Sequence, residues 1–210
     1  MGLTGCSKPA PPPTSSPATA TVPVVDSGWR DAASRMVPVP TTQPFAGVRV
    51  VLAGELGEPL RSPCGKFEAL ARKKSANEFS LHVRAVQSKQ EFPVMEASGQ
   101  VEMIWATPPE GSLLILNHQK PDGQGACIVY SPVRHKQWNI GEKALGELRR
   151  VAGEPLKNSR VGAKGAIADP NCILLQVDAW QNATSVGGDF LVKIGDGSIV
   201  AKGPQSKLKG

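Results

Sequence analysis

Val101-Glu102-Met103-Ile104-Trp105-Ala106, Leu113-Leu114-Ile115-Leu116-Asn117 and Ala126-Cys127-Ile128-Val129-Tyr130 follow one another with short connections between them. Each run is short, apolar and rich in β-branched or aromatic residues, which suits a strand better than a helix. Pro108-Pro109-Glu110-Gly111 separates the first two runs, and a loop holding Asp122-Gly123 separates the second and third. Pro, Gly and Asp close tight connections, so the three runs predict an antiparallel meander.

Reading outward, Val48 to Leu52 and the alternating Phe79 to Ala85 predict two strands on the N-terminal side. Cys172 to Trp180, Asp189 to Ile194 and Ser198 to Lys202 predict three on the C-terminal side, separated by Gly187-Gly188 and Gly195-Asp196-Gly197. Helices are predicted at three places. Trp29 to Met36 follows Asp26 and Ser27, either of which can cap it. Lys66 to Ser75 sets Phe67, Leu70 and Ala71 at helical spacing, with Glu68 early and Arg72 to Lys74 late. Glu142 to Ala152 turns Leu145, Leu148 and Ala152 inward, carries Glu142 first and Arg149-Arg150 last, and meets Gly153. The fold class is therefore α+β, mostly antiparallel sheet with two or three short helices.

The chain divides into three parts. From Ser7 to Val25 it is almost uncharged and holds six prolines, with Pro38, Pro40 and Pro44 following. Such a segment buries too little to fold and favours extended polyproline II, reaching about 60 Å over Ser7 to Val25 at ~3.1 Å per residue. We read residues 7–44 as a tether and 45–210 as a single domain starting near Phe45.

Of the 210 residues, 40% are hydrophobic and 20% charged, as in an ordinary globular protein. No run reaches the roughly 18 apolar residues of a membrane helix. A net charge of +6 allows an anionic surface or an acidic partner. The basic residues are scattered, however, grouping only at Arg72-Lys73-Lys74, Arg149-Arg150 and the terminal Lys202, Lys207 and Lys209. Arg72, Lys73 and Lys74 are the candidate contact for a partner or anionic surface. Nucleic-acid grooves interleave basic residues with exposed aromatics. One Tyr, five Phe and dispersed Trp29, Trp105, Trp138 and Trp180 give no such pattern, and no nucleic-acid partner is expected.

The chemistry-bearing motifs are sparse. Gly-x-Ser-x-Gly, His-Glu-x-x-His and a phosphate loop are absent from the sequence. No Cys-x-x-Cys and no paired Cys and His spacing suggests zinc, so neither a metal nor a cofactor is expected. The histidines are His82, on a polar strand face with Ser80 and Arg84, and His118 and His135, which flank the hairpin of Cys127. A Cys127 nucleophile with His118 or His135 as base is disfavoured because Cys127 lies in a core-like run, and a working thiolate must be reachable. Cys127 and Cys172, both in strand-like runs, are the preferred disulfide pair. Cys64 is left unpaired before the predicted helix, whose N-terminus would lower its thiol pKa.

Leu3-Thr4-Gly5-Cys6 resembles the lipobox of bacterial lipoproteins: an aliphatic residue, a small or β-branched one, glycine, then cysteine. The resemblance covers these few residues and assigns the globular part to no family. Upstream only Met1 and Gly2 stand where an export signal would run, which reads as a truncated signal segment. The resemblance implies cleavage before Cys6, lipidation of Cys6, and, with Ser7 rather than Asp next, sorting to the periplasmic face of the outer membrane. Anchor, tether, strand-rich domain and missing catalytic motif together predict a non-enzymatic scaffold or assembly component of an envelope complex of secretion, conjugation or pilus type. Its partners are then the membrane, through the lipid, and other envelope proteins. The rival reading is a periplasmic enzyme, enzyme regulator or binding module acting on cell wall or polysaccharide.

Overall fold

The structure, a computed structural model, describes residues 49–52, 59–106, 111–153, 155–166 and 172–209. The lipobox, the tether, the predicted helix Trp29 to Met36 and the boundary at Phe45 lie outside the described residues. Within them are thirteen strands and one helix. Three antiparallel sheets form a stack.

The central sheet runs β1 (Arg49–Leu52), β6 (Gln100–Ala106), β7 (Leu113–Gln119), β8 (Gly125–Ser131) and β9 (Lys136–Asn139). Its β6-β7-β8 core is the predicted meander, paired in continuous antiparallel register. A flanking sheet contains β2 (Leu60–Arg61), β3 (Phe67–Lys73), β4 (Glu78–Ala85) and β5 (Glu91–Ser98). The C-terminal sheet contains β10 (Asn158–Ala166), β11 (Cys172–Gln181), β12 (Thr184–Lys193) and β13 (Ile199–Lys209). The helix α1 (Glu142–Ala152) buries Leu145, Leu148 and Ala152 and ends at Gly153 with φ 71, as its sequence predicts, and it buries Ala144 as well.

Strand alternation explains why both faces of the central sheet are apolar. Val101, Met103, Trp105, Leu114 and Leu116 face the flanking sheet and meet Ala69, Phe79, Leu81 and Val83. Ile104, Ile115, Cys127 and Val129 face the other way and meet α1 together with Val161, Ile173, Leu175 and Phe190 of the C-terminal sheet. Near-continuous apolar runs are what a sheet buried on both sides requires. Trp105 keeps its indole N–H satisfied by donating to the Leu60 carbonyl at 2.9 Å, which ties β6 to the flanking sheet.

The region predicted as a helix over Lys66 to Ser75 is instead the strand β3, which pairs with β4 from Phe67 opposite Ala85 to Lys73 opposite Phe79. Ala69, absent from the supposed helical stripe, is its most buried residue, with Phe67 and Ala71 beside it on the same face. Glu68 is not a helix-start charge. It stands directly opposite Arg84, which donates to it at 2.6 Å across the strands. A second correction concerns Gly187-Gly188, which lie within β12 rather than between strands; the reversal comes at Asn182, with φ 52, between β11 and β12.

Candidate functional site

On the side of β6 and β7 that faces the C-terminal sheet, directly opposed residues read Ile104 with Ile115, then Glu102 with Asn117, then Gln100 with Gln119. The apolar face turns polar within two steps of the strand period. β10 crosses here, and it is held by the central sheet rather than only by β11. Asn117 Oδ1 accepts the Ala163 N–H at 2.9 Å, while Asn117 Nδ2 donates to Glu102 Oε2 at 2.7 Å. Ser159 N–H donates to the Gly123 carbonyl at 2.8 Å, and Gly125 N–H donates to Ser159 Oγ at 3.0 Å. This docking requires Gly125: a Cβ there would lie 2.7 Å from Val161 N and 2.8 Å from Arg160 Cα.

Between these elements lies a cleft of about 300 Å³, lined by Gln100, Glu102, Asn117, Gln119, Arg160 and Gly162, with Val161 and His118 completing the wall. His118 also borders a second hollow of about 290 Å³, whose rim carries Lys74, Glu78, Glu96 and Lys120. Its ring is buried, and Nε2 donates to the Ser98 carbonyl at 2.8 Å, which fixes the proton on that nitrogen. His118 is therefore a buried, satisfied side chain between two hollows.

The structure separates the residues of the dyad that the sequence already disfavours. Asn117, not His118, is the residue opposite Cys127, so His118 projects from the other face of the sheet. His135 stacks on Phe92 with centroids 4.1 Å apart. Cys127 is fully buried, and burial pushes its thiol up to about 12, far from a thiolate at neutral pH. His82 shares a hydrogen bond with Ser80 Oγ at 2.9 Å. Among the described residues no cluster of His, Cys, Asp or Glu is grouped to hold a metal ion.

The preferred disulfide is also corrected: Cys127 and Cys172 do not form one. The Cys127 thiol lies against the backbone of Ala163, which pairs with Leu175. Cys172 is three residues further along β11, roughly 10 Å at ~3.3 Å per residue, and a disulfide spans Cα atoms only to about 7 Å. Cys172 packs instead with Leu191 and Ala201.

Cys64 is exposed, and the predicted helix does not follow it: the chain runs instead into β3. Its slight burial raises the thiol pKa. Hydrogen bonds with Ser112 Oγ at 3.0 Å and Ser62 Oγ at 3.4 Å, then the backbone and charge of Lys66, more than reverse this, and the thiol titrates below its ordinary value.

The basic trio is divided by strand alternation. Arg72 and Lys73 point to opposite sides of β3, and Lys74 follows just beyond its end. Arg72 Nη2 donates to both carboxylate oxygens of Glu91 at 2.6 Å, and Lys74 pairs with Glu96 at 2.8 Å. Two of the three charges are thus matched by acids of β5, and exposed Lys73 is the cation left to solvent.

Sequence reasoning passed over Gln100, Glu102, Gln119, Arg160 and Gly162. The available signal was the switch from Ile115 to Asn117 to Gln119 on one strand face, which becomes a site only when register sets Glu102 and Gln100 opposite. Compared with known proteins, the chain matches no family model, no curated protein and no solved structure.

Proposed function

We propose that this chain is a lipoprotein anchored to the periplasmic face of the outer membrane, whose β-rich domain works by contact as a scaffold or assembly component of a multi-protein envelope complex. The observation that carries the reading is Leu3-Thr4-Gly5-Cys6 followed at once by the proline-rich Ser7 to Val25. A lipid at Cys6 and an extended tether of up to about 60 Å hold a folded domain away from the bilayer, where it can meet other proteins. The separation of Cys127 from His118 by the sheet supports a contact role over cysteine-based turnover. Among the described residues, no helix is long and apolar enough to cross a membrane, so under this reading attachment comes from the lipid.

The test is expression behind a complete export signal with labelled fatty acid. Label on the wild-type protein, and its loss with release of the domain in Cys6→Ser, is the expected outcome. Extraction in mild detergent followed by native mass measurement should then give a complex of fixed stoichiometry. Label surviving Cys6→Ser overturns the anchor, and a monomer after mild extraction overturns the scaffold.

A further inference from the structure

We propose that the cleft between the Gln100–Gln119 end of β6 and β7 and the outer side of β10 binds a neutral, polyhydroxylated ligand, one sugar residue of a glycan. The inference goes beyond the anchored-scaffold reading and does not rest on it. Its first support is hydrogen-bonding capacity that the fold leaves unspent. Among the described residues, Gln100, Gln119 and Arg160 make no side-chain hydrogen bond or ion pair, although all three line one cleft. Glu102 uses one carboxylate oxygen for Asn117, and Asn117 uses its carbonyl for Ala163 and one amide proton for Glu102. One carboxylate oxygen and one amide proton remain. These groups sit side by side because strand register, not chance on a loose surface, makes Glu102 the neighbour of Asn117 and Gln100 the neighbour of Gln119.

The mixture of groups selects the ligand. An anion reaching Arg160 meets Glu102, and a cation reaching Glu102 meets Arg160, so net charge of either sign is disfavoured. Adjacent sugar hydroxyls each donate and accept, and side-chain amides, a carboxylate and a guanidinium match that pattern. Gly162 offers a bare backbone to the cleft, and Val161 beside it adds no open apolar surface, since its side chain is buried in the core. The low wall leaves room for the C–H face of a single ring, whereas a peptide would have to pair along the edge of β10, where the Ser159 and Ala163 N–H groups are already taken by the Gly123 carbonyl and Asn117. A volume of about 300 Å³ lies at the small end of ligand cavities, which again fits one ring. Gly162 keeps the wall low: a Cβ there would meet nothing closer than Asn117 Nδ2 at 3.6 Å, so larger side chains are sterically admissible and would project into the opening.

The experiment is an amide-resolved NMR titration of the full chain with chitotetraose, cellotetraose and maltotetraose, each to about 10 mM, which covers a site as weak as roughly 1 mM. Tetraglycine and inorganic phosphate serve as comparison probes. At least one oligosaccharide should give saturable shifts at Asn117, Gln119, Arg160 and Gly162, with neither comparison probe doing so. Arg160→Ala and Gly162→Val, the first removing a donor and the second filling the opening, should each weaken binding about tenfold or more with the thermal midpoint retained. Absence of saturable cleft shifts with all three sugars overturns the proposal. So does a response to tetraglycine or phosphate alone, or binding that Arg160→Ala leaves intact. Should Gly162→Val fail to fold, Arg160→Ala still decides. Fatty-acid labelling at Cys6 is untouched by any of these outcomes, so failure of the cleft and failure of the anchor are read separately.

Discussion

The two faces of β6 and β7 come to the same end of the central sheet and finish differently. Toward the flanking sheet the last pair is Val101 with His118, both buried, and the one polar ring is closed off by the Ser98 carbonyl. Toward the C-terminal sheet the last two pairs are Glu102 with Asn117 and Gln100 with Gln119, and they open on a cleft. Sheet-on-sheet packing covers a face evenly, because both layers share the strand repeat. A helix and an edge strand cover it in patches: α1 lies over the apolar end, while β10 touches the polar end through Asn117 and Ser159. A single strand pair thus carries a filled core on one side and, on the other, a core that gives way to a binding surface.

The sharpest way to break this contrast is to truncate along one strand. Leu116→Ala and Ile115→Ala remove fully buried side chains from the two opposite faces, and each should cost about 2–5 kcal/mol in chemical denaturation. Gln119→Ala, four residues beyond Ile115 on the same face, should stay within about 0.5 kcal/mol. A Gln119 effect as large as that of Ile115 would mean that the cleft end is structural rather than open.

Gly125 tests how β10 is held. Its Cα faces the backbone of Ser159, Arg160 and Val161 so closely that Gly125→Ala must push β10 outward. Main chain cannot move aside as a flexible side chain can, and the expected cost is about 1–3 kcal/mol. Amide exchange should quicken at Ala163, whose N–H depends on Asn117, while β3 and β4 stay protected. Equal loss of protection in the flanking sheet would show the two faces to be one cooperative unit.

The same contrast separates what the sequence reveals from what it conceals. The meander and α1 are readable because their patterns are self-sufficient: three apolar runs with turn residues between them, and one amphipathic stretch stopped by Gly153. β3 misleads because Phe67, Leu70 and Ala71 have helical spacing, while its partners lie on β4, and only pairing reveals that Glu68 answers Arg84. β5 is hidden by Pro93, tolerated because β5 is an edge strand of its sheet among the described residues. β10, Asn-Ser-Arg-Val-Gly-Ala-Lys-Gly-Ala, has little strand propensity of its own and exists through β11 on one side and Asn117 and Ser159 contacts on the other. In β12, Gly187 sits close to the Asp178 carboxylate, whose oxygen would lie 2.7 Å from a Cβ, so a glycine that reads as a turn here marks a close contact inside a strand. The cleft inherits this difficulty, since two of its walls come from paired strands and the third from β10.

The helix that caps the apolar end supplies the smallest test. Glu147 of α1 accepts from Arg150 on its own helix at 2.8 Å and from Lys202 of β13 at 2.6 Å, linking the helix to the far edge of the C-terminal sheet. The hydrogen bond from Arg150, then that from Lys202, hold its carboxyl down to about 2, against an ordinary 4.5. A depressed carboxylate pKa contributes stability that is fully present above the unfolded value and lost as pH falls through the folded one. The Glu147 contribution should therefore be constant at neutral pH, begin to fall near 4.5 and vanish near 2. Because Arg150 is 70% and Lys202 39% exposed, solvent screens the pair, and the contribution should be about 1 kcal/mol. Urea midpoints of wild type and Glu147→Gln, compared at several pH values, isolate this group from the other carboxylates. The two curves should be separated at pH 7 and converge toward pH 2. A separation that persists unchanged to the acid limit would mean that Glu147 stabilises by packing alone, and that the helix rests on its apolar face without the link to β13.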